Sequence, residues 1–224
     1  MTKLAVGPAL VITGILLGPP ALWASRSSSL PPPAQKQTPE QDAARYFNDG
    51  LEYTEKGDKL GKEAAAETDA TKKDKLTKKS LDKYSDAVGK FTDATKKNPK
   101  LFQAWGSLGY AYRKTGKYTD ALVAYNKALE IEPGYTPAIE YRAEAFLELD
   151  RLDDVKDAYM FLFRNDRPRA NELDAAIETW IQKRKAQPGS SDPAAFESFS
   201  KWAAERRQLA SQTSSLLQPS HAGW

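Results

Sequence analysis

Between Phe102 and Tyr135 the apolar and small residues fall in an order that two short antiparallel helices satisfy. Trp105, Leu108, Gly109 and Tyr112 are followed by Gly116, then by Tyr118, Ala121, Tyr125, Ala128 and Pro133. The steps of three and four residues put each set on one helical face, and Thr115-Gly116-Lys117 breaks the two apart. Gly116 can adopt the positive φ that ends a helix. Pro133 stops the second helix because it has no N–H to continue the ladder. Gly109 and Ala121 are small where two helices must approach closely, and the aromatic residues around them fill the groove between ridges. Trp105, Leu108, Gly109 and Ala121 are therefore expected in the core.

Written as W-x2-L-G-x2-Y … A-x3-aromatic … P, this stretch resembles the 34-residue tetratricopeptide repeat. The resemblance implies an all-α chain of antiparallel helical hairpins stacked as a short superhelix that binds other proteins. The preceding segment, 41–101, repeats the pattern in stretched form. Tyr46, Gly50, Tyr53 and Gly57 take the places of Trp105, Gly109, Tyr112 and Gly116. Tyr84, Ala87, Phe91, Ala94 and Pro99 precede Tyr118, Ala121, Tyr125, Ala128 and Pro133 by one 34-residue period. Gly50 and Gly109 are 59 positions apart, so 25 residues are inserted between the halves of the first hairpin. They are rich in Ala, Lys and Glu, which favour helix. Both helices of this hairpin are expected to be lengthened, with the turn at 68–71 and room for a kink at Gly57.

Residues 136–169 read as a drifted third hairpin, with Ile139, Ala143, Phe146, Leu152, Tyr159 and Leu162 in register and Pro168 one place late. A capping helix is expected over 171–187 from Leu173, Ala176, Ile177, Trp180 and Ile181, since stacked repeats need a terminal cover. Asp192-Pro193 signals the start of a further helix within 190–210. Its apolar stripe is Phe196, Phe199, Trp202 and Ala203, and the Ser-rich stretch 211–224 reads as disordered.

At the other end, Lys3, the uncharged run Leu4–Trp23 and Ala24-Ser25 match a secretory signal peptide over 1–25. The run is also long enough to remain as a membrane anchor. Residues 26–40, with Ser27-Ser28-Ser29 and Pro31-Pro32-Pro33, read as an extended linker. The chain is thus expected to be exported, either periplasmic or anchored to the inner membrane facing the periplasm. With no Cys, it has no disulfide, thiolate metal site or Cys nucleophile.

The resemblance places partner binding on the concave face lined by the first helix of each hairpin. Carried over position by position, that face holds Phe47, Leu51 and Thr54, then Gln103, Gly106, Tyr110, Arg113 and Lys114, then Glu140, Glu144, Leu147 and Glu148. Phe47, Leu51, Gln103, Tyr110, Arg113, Lys114, Glu144 and Leu147 form the expected binding set. Its middle reads as basic and its end as acidic, which suits an extended peptide carrying both signs of charge. One subclass of the family clamps a C-terminal carboxylate with Asn, Lys and Arg. Here Ser107, Pro137 and Tyr141 occupy those places, so that clamp is not expected.

Ten Lys fall between Lys72 and Lys100, interspersed with Asp. They form a solvated helical face or a basic prong for anionic lipid, cell-wall polymer or an acidic protein. Nucleic acid is not expected as a partner, because the nearby Tyr84 and Phe91 are needed for packing. Catalysis is not expected either. The single His, His221, falls in the Ser-rich tail; Asp153-Asp154 are neighbours that face different ways on a helix; and no phosphate loop or ligand cluster appears. No cofactor or metal is called for. The expected function is a non-catalytic scaffold or adaptor of the cell envelope that holds a peptide or partner protein. The alternative is a self-associating or tethered spacer that uses the C-terminal helices.

Overall fold

The computed structural model describes residues 38–187 and 192–217, and they form eight helices with no strand. The run 4–23, the linker up to residue 37 and His221 lie outside the described residues. The helices are α1 Pro39–Ala66, α2 Ala70–Lys97, α3 Phe102–Lys114, α4 Tyr118–Ile131, α5 Thr136–Glu148, α6 Leu152–Asn165, α7 Arg167–Ala186 and α8 Pro193–Leu217. Consecutive helices pair as hairpins, and α3 also packs on α2, α5 on α4, and α7 on α5 and α6.

The elongated first hairpin is present, with 28 residues in each of α1 and α2 against 13 and 14 in α3 and α4. Local chemistry sets its ends. The Thr38 hydroxyl accepts from the Gln41 N–H at 3.3 Å, and the Gln41 side chain accepts from the Thr38 N–H at 2.9 Å, a reciprocal cap. Asp69 caps α2 by accepting from the Lys72 N–H at 2.8 Å. The turn is therefore Glu67–Asp69, slightly earlier than 68–71, because Asp69 caps a helix that already begins at Ala70.

One packing device recurs. A Cβ on Gly109 would sit 2.6 Å from the Tyr125 ring, and one on Gly50 would sit 2.5 Å from the Phe91 ring. Phe91, Tyr125 and Ala121 are fully buried and Leu108 nearly so. The third hairpin places Ala143 and Tyr159 at the same positions, both buried. Gly57 belongs to this device too. It lies inside the uninterrupted α1 and faces Tyr84, whose ring a Cβ would meet at 2.9 Å. The inserted stretch thus continues the glycine-against-aromatic packing, and Gly57 is a contact residue. Trp105 is only half-buried, with its indole N–H donating to the Pro99 carbonyl at 2.9 Å.

The turn of each later hairpin needs one left-handed residue. Gly116 has φ +75° and Asp150, one period on, has φ +55°. Asp tolerates this conformation better than most residues. Its carboxylate also accepts from Arg184 of α7 at 2.7 Å. Asp150→Ala should therefore lower stability by about 1–2 kcal/mol, through backbone strain and the lost contact. Asp150→Gly should lose less, because the strain disappears and only the contact goes. Urea titrations of the two variants check the ordering.

Two expected boundaries shift. Pro168 does not end the third hairpin but lies in the first turn of α7, where Asp166 caps by accepting from the Arg169 N–H at 3.2 Å. The cap helix therefore starts at Arg167 and not at 171. At the other end α8 runs to Leu217, beyond the expected end at 210 and into the stretch read as disordered. No Gly or Pro interrupts 194–217, so Ser content alone did not stop the helix. The α8 stripe packs within the chain: Phe199 and Ala203 are buried in the cluster that contains Trp180 and Ile181, with Phe196 and Trp202 against it.

Candidate functional site

Along their shared face, α1, α3 and α5 leave a cavity of about 220 Å³. α1 contributes Leu51, Thr54 and Asp58; α3 contributes Gly106, Ser107 and Tyr110; α5 contributes Pro137, Ala138 and Tyr141, with Phe91 and Tyr135 completing the lining. Gly106 is required here by space, since a Cβ would stand 2.7 Å from the Tyr135 ring. Tyr110 and Tyr141 meet with ring centroids 5.0 Å apart.

Asp58 organises one wall. Its Oδ1 accepts from the Tyr110 hydroxyl at 2.8 Å and from the Tyr84 hydroxyl, while Lys114 Nζ stands 4.0 Å away. Burial, with Asp58 beside it, pushes the Tyr110 phenol well above its ordinary range and keeps it a donor. Next to the cavity, Arg113 donates to Glu144 at 2.5 Å, and its guanidinium lies 5.2 Å from the centres of both the Tyr110 and Tyr141 rings. Burial raises Glu144, opposed by Arg113. Further along, Arg169 of α7 donates to Glu140 at 2.5 Å and to Glu172 at 2.9 Å.

These pairs revise the expectation of a basic middle and an acidic end. Charges on adjacent first helices are about one repeat apart in sequence, 31 residues for Arg113 and Glu144, yet they touch and neutralise each other. Read one helix at a time, the faces looked charged; stacked, they are cross-linked. The same stacking decides the fate of the expected binding set. Leu51, 42% exposed, and Tyr110 line the cavity; Arg113, Lys114 and Glu144 stand beside it as partners of one another or of Asp58. Phe47 is half-buried against Phe91, with centroids 5.9 Å apart, and Gln103 is half-buried in the first turn of α3. Leu147 is only 2% exposed and belongs to the core, because α7 packs over α5 there. Its one exposed edge lines a neighbouring cavity with Arg113, Glu144 and Trp180.

Asp58, Tyr135 and Tyr141 were missed as lining residues. Asp58 and Tyr110 are 52 residues apart, so no local spacing joins them. Tyr141 carried the one available signal, as a departure from the carboxylate clamp.

Glu140 is almost fully buried. Burial pushes its carboxyl from the ordinary 4.5 up to about 7, with Arg169 pulling the other way. A carboxyl raised in the folded state binds its proton more tightly folded than unfolded. Its contribution is therefore most favourable below about 4.5 and declines as the pH climbs to about 7. Glu140→Gln should flatten that part of the stability–pH curve, which chemical denaturation across the range would show.

Residues 102–135 match the family model described as tetratricopeptide repeat. Among curated proteins, the chain is 24% identical over 162 residues to Hsp70-Hsp90 organizing protein 1 of Glycine max, covering 71% of this chain and 25% of that protein. It is 27% identical over 112 residues to Hsp70-Hsp90 organizing protein 2 of Arabidopsis thaliana, covering 50% of this chain and 19% of the other. The chain thus spans a quarter or less of the length of these relatives. Among solved structures it is similar to the TPR2B domain of yeast Sti1 in its pHsp70 complex. The TM-score there is 0.46 at 20% identity, covering 64% of this chain and 98% of that one. With their helices paired as hairpins, the described residues are all-α, and the hairpin over 102–135 is the one that matches the tetratricopeptide repeat.

Proposed function

We propose that this chain is a non-catalytic interaction scaffold that holds an extended peptide, or a segment of a partner protein, across α1, α3 and α5. The observation that carries this reading is the preformed cavity of about 220 Å³, walled by Leu51, Tyr110 and Tyr141 and stiffened by the Asp58 hydrogen bonds. A concave, mostly apolar site with a few fixed polar groups is the form that binds without reorganising. The relatives' names refer to Hsp70 and Hsp90, but a C-terminal carboxylate would find no Lys or Arg in this lining and would face Asp58.

The proposed setting is the cell envelope, reached by export through residues 1–25, cleaved near Ala24 or retained as an anchor. The sequence pattern alone supports this. Among the described residues no helix is long and apolar enough to cross a membrane. The mass of the purified protein distinguishes cleavage from retention. Self-association through Phe196, Phe199 and Trp202 is not favoured, since Phe199 is fully buried within the chain.

Photo-crosslinking in cells tests the groove. A photoreactive residue at Leu51 should give a discrete adduct with another protein, and the same residue at Val123, 58% exposed on α4, should not. Equal adducts at both positions, or adducts at Val123 alone, would move binding away from the groove.

A further inference from the structure

The cavity that serves the proposed groove has one lining residue with a carboxyl or basic side chain, and it is an acid. Asp58 is the only Asp, Glu, Lys or Arg among the lining residues, which are otherwise aromatic, aliphatic, small or hydroxyl-bearing. Both of its tyrosine donors fall on Oδ1, and Oδ2 accepts no hydrogen bond among the described residues. The carboxylate is therefore anchored through one oxygen, and its side chain remains 35% exposed. Around it, Tyr110, Tyr135 and Tyr141 supply ring surface, and Leu51 supplies an exposed aliphatic edge.

A ligand group that matches this surface has a long apolar body, a donor at its tip and a positive charge. We infer that the cavity takes the side chain of a Lys or Arg from an extended segment of the partner, its stem against the tyrosine rings and its cation on Asp58 Oδ2. This deepens the proposed groove reading and rests on it. Resident cations already flank these rings, Arg113 and Lys114 at Tyr110 and Arg113 and Arg169 at Tyr141, but none of them lines the cavity, so the incoming cation is held by Asp58 and only its stem meets the rings. Lys114 is the internal competitor. It stands at 4.0 Å from Asp58, the limit of pairing, and also lies over the Tyr84 and Tyr110 rings at 5.2 and 5.8 Å, so Asp58 is only one weak contact among several. The result inverts the charge preference of a carboxylate clamp: Ser107, Pro137 and Tyr141, where that clamp would carry Asn, Lys and Arg, leave the acid without a lining cation.

The test pans a displayed library of random linear peptides on the full-length chain. Selected peptides are then titrated as synthetic, end-blocked copies. The expected result is enrichment of Lys or Arg at one fixed position, with norleucine there weakening binding about tenfold. Asp58→Asn keeps an acceptor for both tyrosines but removes the charge. It should weaken the cationic peptide about tenfold and leave the norleucine peptide unchanged. Lys114→Met should strengthen the cationic peptide by removing the competitor, an effect that a purely structural role for Lys114 does not produce. Ser107→Trp, which fills the cavity, separates the two levels of the argument. If it abolishes binding but the selected peptides carry acidic, apolar or free C-terminal groups at the key position, the groove stands and the cation preference is wrong. If no peptide is enriched, or Ser107→Trp changes nothing, both are wrong. Equal weakening of the cationic and norleucine peptides by Asp58→Asn also overturns the assignment.

Discussion

Phe91→Ala should lower stability by about 3–5 kcal/mol, because a fully buried aromatic ring is removed and the site cannot collapse onto it. The ring lies against Gly50 of α1, where no side chain can follow it into the gap, and it belongs to the cluster that joins α2 to α3 and α4. The effect should also be local. In stacked hairpins each unit is stabilised mainly by its neighbours. Amide exchange should therefore accelerate most in α1 and α2 and least in α6 and α7. A complementary change tests the same contact from the other side. Gly50→Ala forces a Cβ to 2.5 Å from the Phe91 ring and should cost about 1–3 kcal/mol as overpacking. Combined with Phe91→Leu, part of that cost should vanish, because the two changes share one space. Additive losses would show that the glycine is not there to admit the ring.

The second large effect is expected at the ion pair beside the cavity. Glu144→Ala leaves the Arg113 guanidinium, with 14% of its side chain exposed, without its carboxylate. Removing one partner of a fully buried pair costs about 3–5 kcal/mol, and the residual exposure of both groups should reduce this to about 2–4 kcal/mol. The Tyr125 hydroxyl, buried beside Arg113 and kept neutral by that burial, carries no charge and so does not replace the Glu144 carboxylate. Replacing both members, Arg113→Met with Glu144→Leu, should recover most of the loss, since no buried charge then stands alone. Urea titration of the two single variants and the double variant gives the coupling. If the double variant loses as much as the two singles together, the pair is a surface contact and does not cross-link α3 to α5.

The hairpin architecture was legible because its determinants are local or strictly periodic. Gly109 with Tyr125, and Gly116 at the turn, lie within one 34-residue unit. The 59-residue displacement of Gly50 from Gly109 specifies the lengthened first hairpin in the sequence itself. What stayed hidden depends on contacts between units. Asp58 is an ordinary acidic residue in a charged helix until Tyr84 and Tyr110, from two other helices, close on it. Leu147 looked like a groove residue because its exposure depends on α7, which lies outside the repeat register. Pro168 has the same covalent properties at the end of one helix or in the first turn of the next. Only the Asp166 cap decides between them, by starting α7 at once. Arg113 and Glu144 read as opposite ends of a charge gradient because nothing in one helix shows that the next places its carboxylate against it.

The most direct measurement of the central claim is amide exchange on the full-length chain with and without a bound peptide selected against it. Binding across α1, α3 and α5 predicts slowed exchange within 50–58, 103–114 and 137–144, with α4, α6 and α8 unchanged. Protection confined to α7 and α8, or to the outer faces of α2 and α4, would contradict it.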